Sequence, residues 1–251
     1  SGSDWQQDKG LLSQYISEIK LTEKNLQTEE GRANQYRITV TAADDVGRIS
    51  THTEIVRIDR EHPEITVEYD DSNRIQDHYY NGKRIANIIV KKTFPSSIDE
   101  EKVLKAIKTG ISVKNAENQE IQTGKEDFYS ISDWDSTTHS YTVTYTNDAI
   151  YNFSLSFQDK LGNDSEKDIK FISKRKQETV SEGVKDSYSF VIDSKAPKIT
   201  VSYKDEAKKA DYYHAGNRTA TLEIEDLSFA YAYHYNDKTV ILEKKENVFL
   251  F

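Results

Sequence analysis

The chain contains no cysteine and no methionine, and among its 251 residues there are only 3 prolines and 10 glycines. Without cysteine it can form neither a disulfide bond nor a thiolate metal site, and it has no thiol nucleophile. No apolar run approaches the roughly 20 residues that are needed to span a membrane. Hydrophobic residues make up 35% of the chain, against roughly 45–50% in an average globular protein when glycine is counted. This composition favours several thin modules over one large core.

The charge of the chain is acidic, with 43 Asp and Glu residues against 34 Lys and Arg residues. A formal net charge of −9 argues against nucleic acid as a partner, because phosphate binding requires clustered basic side chains. Among the aromatic residues, 16 tyrosines outnumber the 9 phenylalanines and 2 tryptophans together. Since aromatic residues favour strands, the composition indicates a β-rich protein.

Two sequence blocks occur twice in the chain. The segment HPEITVEY at residues 62–69 returns as APKITVSY at residues 196–203, which is 134 positions later. The turn DDVG at residues 44–47 returns as DKLG at residues 159–162, only 115 positions later. The Ile-Asp pair that follows each turn is again separated by 134 positions, so the second copy carries 19 additional residues within 164–187. Repeats of this kind predict tandem modules.

The order of the repeats divides the chain into three parts. Residues 4–60 correspond to the back half of a module, residues 61–195 to a complete module with the insertion 164–187, and residues 196–251 to the front half of another. Each isolated half would expose an apolar strand face to water. We therefore predict that the two halves together rebuild one sandwich, within one chain or by exchange between neighbouring chains.

Alternating apolar and polar residues predict strands over most of the chain, and their apolar faces can pack only against a second sheet. The predicted fold is therefore an all-β sandwich. One helix is predicted over residues 97–109, because Ser97 and Glu100 have the spacing of a capping box and an apolar face follows. We expect it to cover an open edge or end of the sandwich. The strands predicted for the complete module are 64–69, 84–90, 140–146, 150–158 and 188–192.

Three motifs recur in the same order in both copies. They are Ile-Asp-x3-Pro-x-Ile-x-Val from Ile58 and Ile192, a Tyr-Tyr pair at 79–80 and 212–213 that precedes an arginine and a strand, and Tyr-x7-Asp-x2-Gly from Tyr36 and Tyr151. With these motifs the sequence resembles the tandem immunoglobulin-like modules of Gram-positive bacterial surface proteins of the adhesin type. The resemblance implies immunoglobulin-like β-sandwiches in a fragment of an exported, extracellular protein at the cell surface, with neighbouring modules as partners.

Sequence motifs for catalysis are missing. None of the six histidines has a metal-ligand spacing such as His-x3-His, and there is no nucleophile elbow, phosphate-binding loop or dinucleotide fingerprint. The many carboxylates include pairs that could serve a glycosidase, but acids scattered over polar strand faces are typical of a solvated surface. We therefore predict that the chain is not an enzyme.

Calcium is the one cofactor for which the sequence offers candidate ligands. Asp44 and Asp159 begin tight turns that contain glycine, and Asp59 and Asp193 stand at module junctions. Oxygen ligands gathered at such junctions can bind a hard cation that stiffens an array. The alternative is that an aspartate at the start of such a turn accepts hydrogen bonds from its own turn, so that no cofactor is needed.

Two segments are candidate ligand-binding surfaces. The first is the insertion, which holds the only basic triplet of the chain. A long hairpin at this place would project a contact surface; the alternative is an extended hairpin that is merely solvated. The second is an alternating tyrosine face near residue 233, whose alternative is a core face awaiting its other sheet. The residues concerned are Phe171, Lys174, Arg175, Lys176, Tyr231 and Tyr233.

Two functions follow as hypotheses. In the first, the chain is a non-enzymatic segment of a surface protein that binds a host protein, with immunoglobulin as one conceivable ligand, or a host glycan. In the second, it is a purely structural spacer in a wall-anchored protein. A divergent feature confined to one module favours binding, and the insertion 164–187 is such a feature.

Overall fold

A computed structural model describes most of the chain. The described residues are 6–8, 14–16, 32–166, 169–175, 178–203, 208–210, 213–214, 220–227, 232–235 and 239–242. In chain order the strands are β1 (Gln6–Asp8), β2 (Gln14–Ile16), β3 (Ala33–Ala43), β4 (Ile49–Asp59), β5 (Glu64–Asp70), β6 (Arg74–Gln76), β7 (Tyr79–Tyr80), β8 (Arg84–Lys91), β9 (Ile111–Lys114), β10 (Tyr129–Ile131), β11 (Ser140–Tyr145), β12 (Ala149–Ser154), β13 (Ile169–Arg175), β14 (Glu178–Lys185), β15 (Ser187–Ile192), β16 (Lys198–Tyr203), β17 (Lys208–Ala210), β18 (Tyr213–His214), β19 (Ala220–Glu225), β20 (Ala232–Tyr235) and β21 (Thr239–Leu242). Within these residues there is one α-helix, α1 (Glu100–Gly110), and none is long and apolar enough to cross a membrane.

Residues 61–195 form a sandwich of two sheets. One sheet has the strand order β10-β11-β8-β5-β13-β14, and the other has the order β6-β7-β15-β12-β9. The period-two pattern buries every second side chain, as in β5, where Ile65, Val67 and Tyr69 are at most 2% exposed. The ring of Tyr69 lies 5.7 Å from that of Phe190 in the opposite sheet, so the two inner faces share one core. The predicted all-β sandwich is confirmed.

The predicted strands agree with the structure to within a residue at most ends. The exception is the segment 150–158, where β12 ends at Ser154. Leu155 and Phe157 beyond it are still buried, so the alternation continues in side-chain packing after the ladder has ended.

The helix begins later than its predicted start. Its N-cap is Asp99, whose carboxylate accepts a hydrogen bond from the backbone N–H of Lys102, so the predicted capping box at Ser97 is wrong. Ser97 instead ends a 3₁₀ turn, where it is buried and donates to Asp59 Oδ2 over 3.0 Å. At the other end, a Cβ on Gly110 would lie 1.8 Å from the carbonyl oxygen of Ser154. Only glycine therefore allows the close approach of α1 to β12.

The insertion is built into the sheet. Its strands β13 and β14 form a hairpin, and β13 pairs in parallel with β5. Ile169, Phe171 and Ser173 face the core, because the alternation of β13 matches that of β5. The expected projecting hairpin is therefore corrected to two additional strands at one edge of the six-stranded sheet.

The back half of the first module repeats the strand register of the central one. Tyr36 of β3 pairs with Val56 of β4. The counterpart of Tyr36, 115 positions later, is Tyr151 in β12, and the counterpart of Val56, 134 positions later, is Phe190 in β15. These two counterparts also pair with each other. The same holds for the neighbouring pairs along both ladders. The hairpin β3-β4 is thus a structural copy of the centre of the five-stranded sheet.

The front half of the third module repeats the register of the other sheet. Val201 pairs with Leu222 in β16 and β19, as Val67 pairs with Ile88 in β5 and β8. The short ladder β17-β18 likewise copies β6-β7 at the constant shift of 134. This register places Tyr213 at the position of Tyr79, so the Tyr-Tyr correspondence taken from the sequence was displaced by one residue.

The two terminal copies expose faces that the central module buries. Val201 is 46% exposed and Val40 is 41% exposed, whereas their central counterparts Val67 and Leu155 are 0% and 4% exposed. Among the described residues, no strand of 33–59 pairs with a strand after residue 197. Whether the two halves rebuild a sandwich between chains stays a prediction.

Candidate functional site

Phe171 lies in the core and not on a ligand surface. Its side chain is 0% exposed, and its ring stacks 6.3 Å from Tyr69 and lies 5.2 Å from Tyr188. A side chain without exposed surface offers a ligand no contact. The prediction that Phe171 binds a ligand is therefore wrong. Phe171 is buried because the insertion joins the sheet.

The basic residues of the insertion lie on the outer face or at the end of β13. Lys174 is half exposed and forms an ion pair with Glu68 on the neighbouring strand β5. Arg175 is exposed, and Lys176 lies outside the described residues. Lys174 thus lies on the face of β13 opposite to Phe171.

The outer strand of the insertion is a free sheet edge. In the described part of the chain β14 pairs only with β13, so its other side presents backbone donors and acceptors. Val180 and Val184 on this strand are 51% and 60% exposed. An edge with exposed apolar side chains is the surface to which an extended segment of another protein can add as a strand.

The tyrosine face near residue 233 is only partly described. Tyr233 belongs to β20, where it pairs with Ile241 of β21. Tyr231 lies outside the described residues. The alternation that predicted a strand at this point is confirmed by β20.

Asp44 accepts hydrogen bonds from its own turn, as the alternative to calcium predicted. Its carboxylate accepts from the backbone N–H groups of Val46 over 3.1 Å and of Arg48 over 2.8 Å. Arg48 Nε lies 2.6 Å from the second oxygen. The hydrogen bonds from Arg48 lower the pKa of Asp44, and this carboxylate is ionised at neutral pH.

Asp59 and Asp159 meet at one buried place, and the cation between them is a lysine. Lys92 Nζ lies 3.0 Å from Asp59 Oδ2 and also contacts Asp159 Oδ2. The three side chains are at most 3% exposed. We refer to Asp59, Lys92 and Asp159 as the junction cluster, because they tie the end of β4 to the central sandwich. An ammonium group thus occupies the place for which calcium was considered.

Asp159 also holds the turn that it begins. It accepts from the backbone N–H groups of Leu161 over 2.8 Å and of Asn163 over 2.9 Å. Burial opposes its ionisation, but the hydrogen bonds from Lys92 and Asn163 outweigh that effect and lower its pKa. The side chain therefore joins a local turn to a long-range ion pair.

The fourth calcium candidate, Asp193, lies at the next junction. It lines an open pocket of about 360 Å³ together with Asp148, Glu225, Asp226 and two lysines. No group of three or more histidine, aspartate or glutamate side chains in the described residues is arranged to hold a metal ion.

A buried arginine is the feature that the sequence analysis missed. Arg84 is 0% exposed and donates from Nε and Nη2 to Asp71 Oδ1 over 3.0 and 2.8 Å. Its guanidinium lies 3.6 Å from the ring centre of Tyr69 and 4.2 Å from that of Tyr80. Burial raises the pKa of both phenols, so they stay neutral. The sequence already indicated that Arg84 is buried, because the alternation of the strand places it on the same face as Ala86, and that face points to the core.

Comparison with known proteins gives no relative for this chain. No family model, no curated protein and no solved structure matches it.

Proposed function

We propose that the chain is a non-enzymatic spacer segment of a Gram-positive cell-surface protein, built from tandem modules of the immunoglobulin-like type. The observation that carries the proposal is the repeated register: β3-β4 and β16-β19 reproduce the two central ladders pair by pair. A chain that repeats one structural unit end to end is suited to span distance.

The junction between modules supports a stiff spacer. Only four residues separate β4 from β5, and the junction cluster fixes the end of β4 by a buried ion pair. The backbone N–H of Glu61 donates to Asp59. The carboxylate of Glu61 in turn accepts hydrogen bonds from the backbone N–H and the hydroxyl group of Thr93, over 2.7 and 2.9 Å. Such a linker resists bending better than a glycine- or serine-rich one, which behaves as a random coil.

Stretching single molecules tests the spacer function. We expect the central module, residues 61–195, to resist force and then unfold in one step that lengthens the chain by roughly 400–450 Å. This is the length of the extended segment, at most about 3.3–3.6 Å for each residue, less the length of the folded module. Gradual lengthening without a discrete step would contradict a mechanical role.

A second candidate function is the binding of a host protein by strand addition at β14, supported by the free edge and its two exposed valines. We expect the double variant Val180→Lys/Val184→Lys to lose binding on an array of host serum and mucosal proteins that includes immunoglobulin. Charges on an edge strand oppose pairing with another strand. The control Thr39→Lys/Thr51→Lys alters the exposed hairpin β3-β4 instead. Binding that survives the valine changes would place the ligand elsewhere.

A further inference from the structure

A short link between β7 and β8 joins the two sheets of the central module. It consists of Asn81, Gly82 and Lys83. Tyr80 before the link belongs to the five-stranded sheet, and Arg84 after it belongs to the six-stranded sheet. Both side chains are at most 1% exposed, and the guanidinium of Arg84 lies 4.2 Å from the ring centre of Tyr80. The length of the link therefore bears directly on how these two buried side chains pack.

Asn73 holds both ends of this link and leaves its middle without a hydrogen bond. The carbonyl oxygen of Asn73 accepts from the backbone N–H of Asn81 over 3.1 Å, and its Nδ2 donates to the carbonyl oxygen of Lys83 over 2.8 Å. In the described part of the chain, neither the side-chain amide of Asn81 nor the backbone N–H of Gly82 has a hydrogen-bond partner. Asn81 is also exposed. Its amide is therefore free to turn toward the nitrogen of Gly82.

Other asparagines of the central module are held in place and are followed by larger residues. Their side chains donate from Nδ2 to acceptors elsewhere in the module, and the residues concerned are Asn73, Asn115, Asn147, Asn152 and Asn163. None of the five precedes a glycine, and Asn81-Gly82 is the only Asn-Gly pair in the sequence. A glycine has no Cβ to shield its backbone nitrogen. Asn81 thus combines an unheld amide with the least hindered neighbour.

An asparagine before a glycine can react with its own backbone. The nitrogen of Gly82 attacks Cγ of Asn81, and the new N–C bond closes a five-membered succinimide ring. The side-chain nitrogen leaves as ammonia with the proton that the backbone nitrogen gives up. Water then adds to the ring and breaks one of its two bonds to that nitrogen. Opening at Cγ gives aspartate, and opening at the backbone carbonyl gives isoaspartate, in which the main chain runs through Cβ and Cγ.

The sequence repeat indicates that the link does not require asparagine. The ladder β17-β18 copies β6-β7 at a shift of 134, and the residues 134 positions after Asn81 and Gly82 are Ala215 and Gly216. The repeat thus keeps the glycine and replaces the asparagine by a residue that has no amide. This substitution also supplies a conservative variant for an experiment.

We propose that Asn81 is a site of spontaneous deamidation, which converts the link to aspartate and isoaspartate and loosens the central module as the protein ages. The isoaspartate form places one more carbon in the main chain between Tyr80 and Arg84, which adds about 1.5 Å of backbone. The aspartate form adds a negative charge at an exposed position but keeps the length. Since protein interiors are closely packed, only the longer link disturbs the packing of Arg84. The proposal does not depend on the function proposed above.

Mass spectrometry tests the reaction on the full chain, which is kept folded in mildly alkaline buffer and then digested. We expect the peptide with residue 81 to exchange its amide for a carboxylate several-fold faster than the peptides with Asn73 and Asn163. A protein isoaspartate methyltransferase should label the same peptide. Asn81→Ala should lose the label entirely, and Gly82→Ala should slow the conversion several-fold, because a Cβ shields the attacking nitrogen.

Two outcomes of that experiment contradict the proposal. If Asn81 changes no faster than Asn73 in the folded chain, it is not a deamidation site. Conversion to aspartate without any isoaspartate, at the same rate in Gly82→Ala, shows direct hydrolysis by water and overturns the attack by the nitrogen of Gly82.

Urea denaturation of the isoaspartate form, separated from the parent by ion exchange, tests the effect on the module. We expect its unfolding midpoint to shift to a lower urea concentration than that of the parent. Asn81→Asp is the matched control, because it adds the charge without lengthening the main chain, and its midpoint should stay near that of the parent. Equal midpoints for the isoaspartate form and Asn81→Asp would overturn the assignment of the loosening to the longer link.

Discussion

Replacing Lys92 by methionine is expected to lower the free energy of unfolding of the central module by about 3–5 kcal/mol. The change keeps the length of the side chain but leaves Asp59 and Asp159 buried without their cation, and removing one partner of a buried ion pair is far more costly than removing an exposed one. Urea denaturation followed by circular dichroism measures the effect. Lys174→Met is the matched control, because its half-exposed ion pair should contribute only about 0–1 kcal/mol.

The effect of Lys92→Met should depend on pH. The pKa of Asp159 in the folded parent lies below its ordinary value of 3.8, so the stability that this carboxylate contributes is present at neutral pH and is lost as the pH falls through the folded pKa. In the variant the uncompensated carboxylate of Asp159 becomes neutral on acidification, which removes its penalty. The difference between parent and variant should therefore narrow below about pH 4. An equal difference at pH 7 and pH 3 would show that the lysine acts through packing alone.

Removing the carboxylate of Asp71 is the second change for which a large effect is expected. Asp71→Ala leaves the guanidinium of Arg84 in the core, where both side chains are 0% exposed, and should destabilise the module by about 3–5 kcal/mol. The aromatic rings around Arg84 offset only part of this cost, because a cation near a desolvated ring gains about 2 kcal/mol.

The double variant Asp71→Leu/Arg84→Met tests the physical cause. With both charges removed, apolar side chains of similar volume fill the site, and stability should recover most of what Asp71→Ala loses. Denaturation of both variants gives the comparison. A loss within about 1 kcal/mol in Asp71→Ala would contradict the view that the ion pair is needed to keep Arg84 in the core.

The strands were predictable because successive side chains of a strand point to opposite faces of the sheet, one toward the core and the other toward solvent. In β5 apolar and polar residues alternate from Ile65 to Tyr69, and in β8 every second side chain is buried. The predicted limits 64–69 and 84–90 differ from the observed ones by one residue. The role of the insertion was not predicted correctly. The sequence suggested a hairpin there, yet it could not show that Phe171 packs on Tyr69, a residue about a hundred positions earlier in the chain.

The junction cluster was out of reach for a different reason. Each aspartate had a sufficient local explanation as a turn or junction residue, and Lys92 directly follows the last residue of β8, as lysines often do at strand ends. Their meeting depends on the sandwich, which brings together positions 67 residues apart in the case of Lys92 and Asp159. The one indication in the sequence was that two positions of this site change their charge between the repeats. The equivalent of Lys92 is Asp226, and the equivalent of Asn163 is Arg48.

Hydrogen exchange of backbone amides tests the central claim, that one complete sandwich is accompanied by structural copies of its two ladders. We expect slow exchange in β5, β8, β12 and β15 and faster exchange in their copies β16, β19, β3 and β4, because in the described residues the copies have the same register but expose faces that the central module buries. Equally slow exchange in all eight strands would contradict the account.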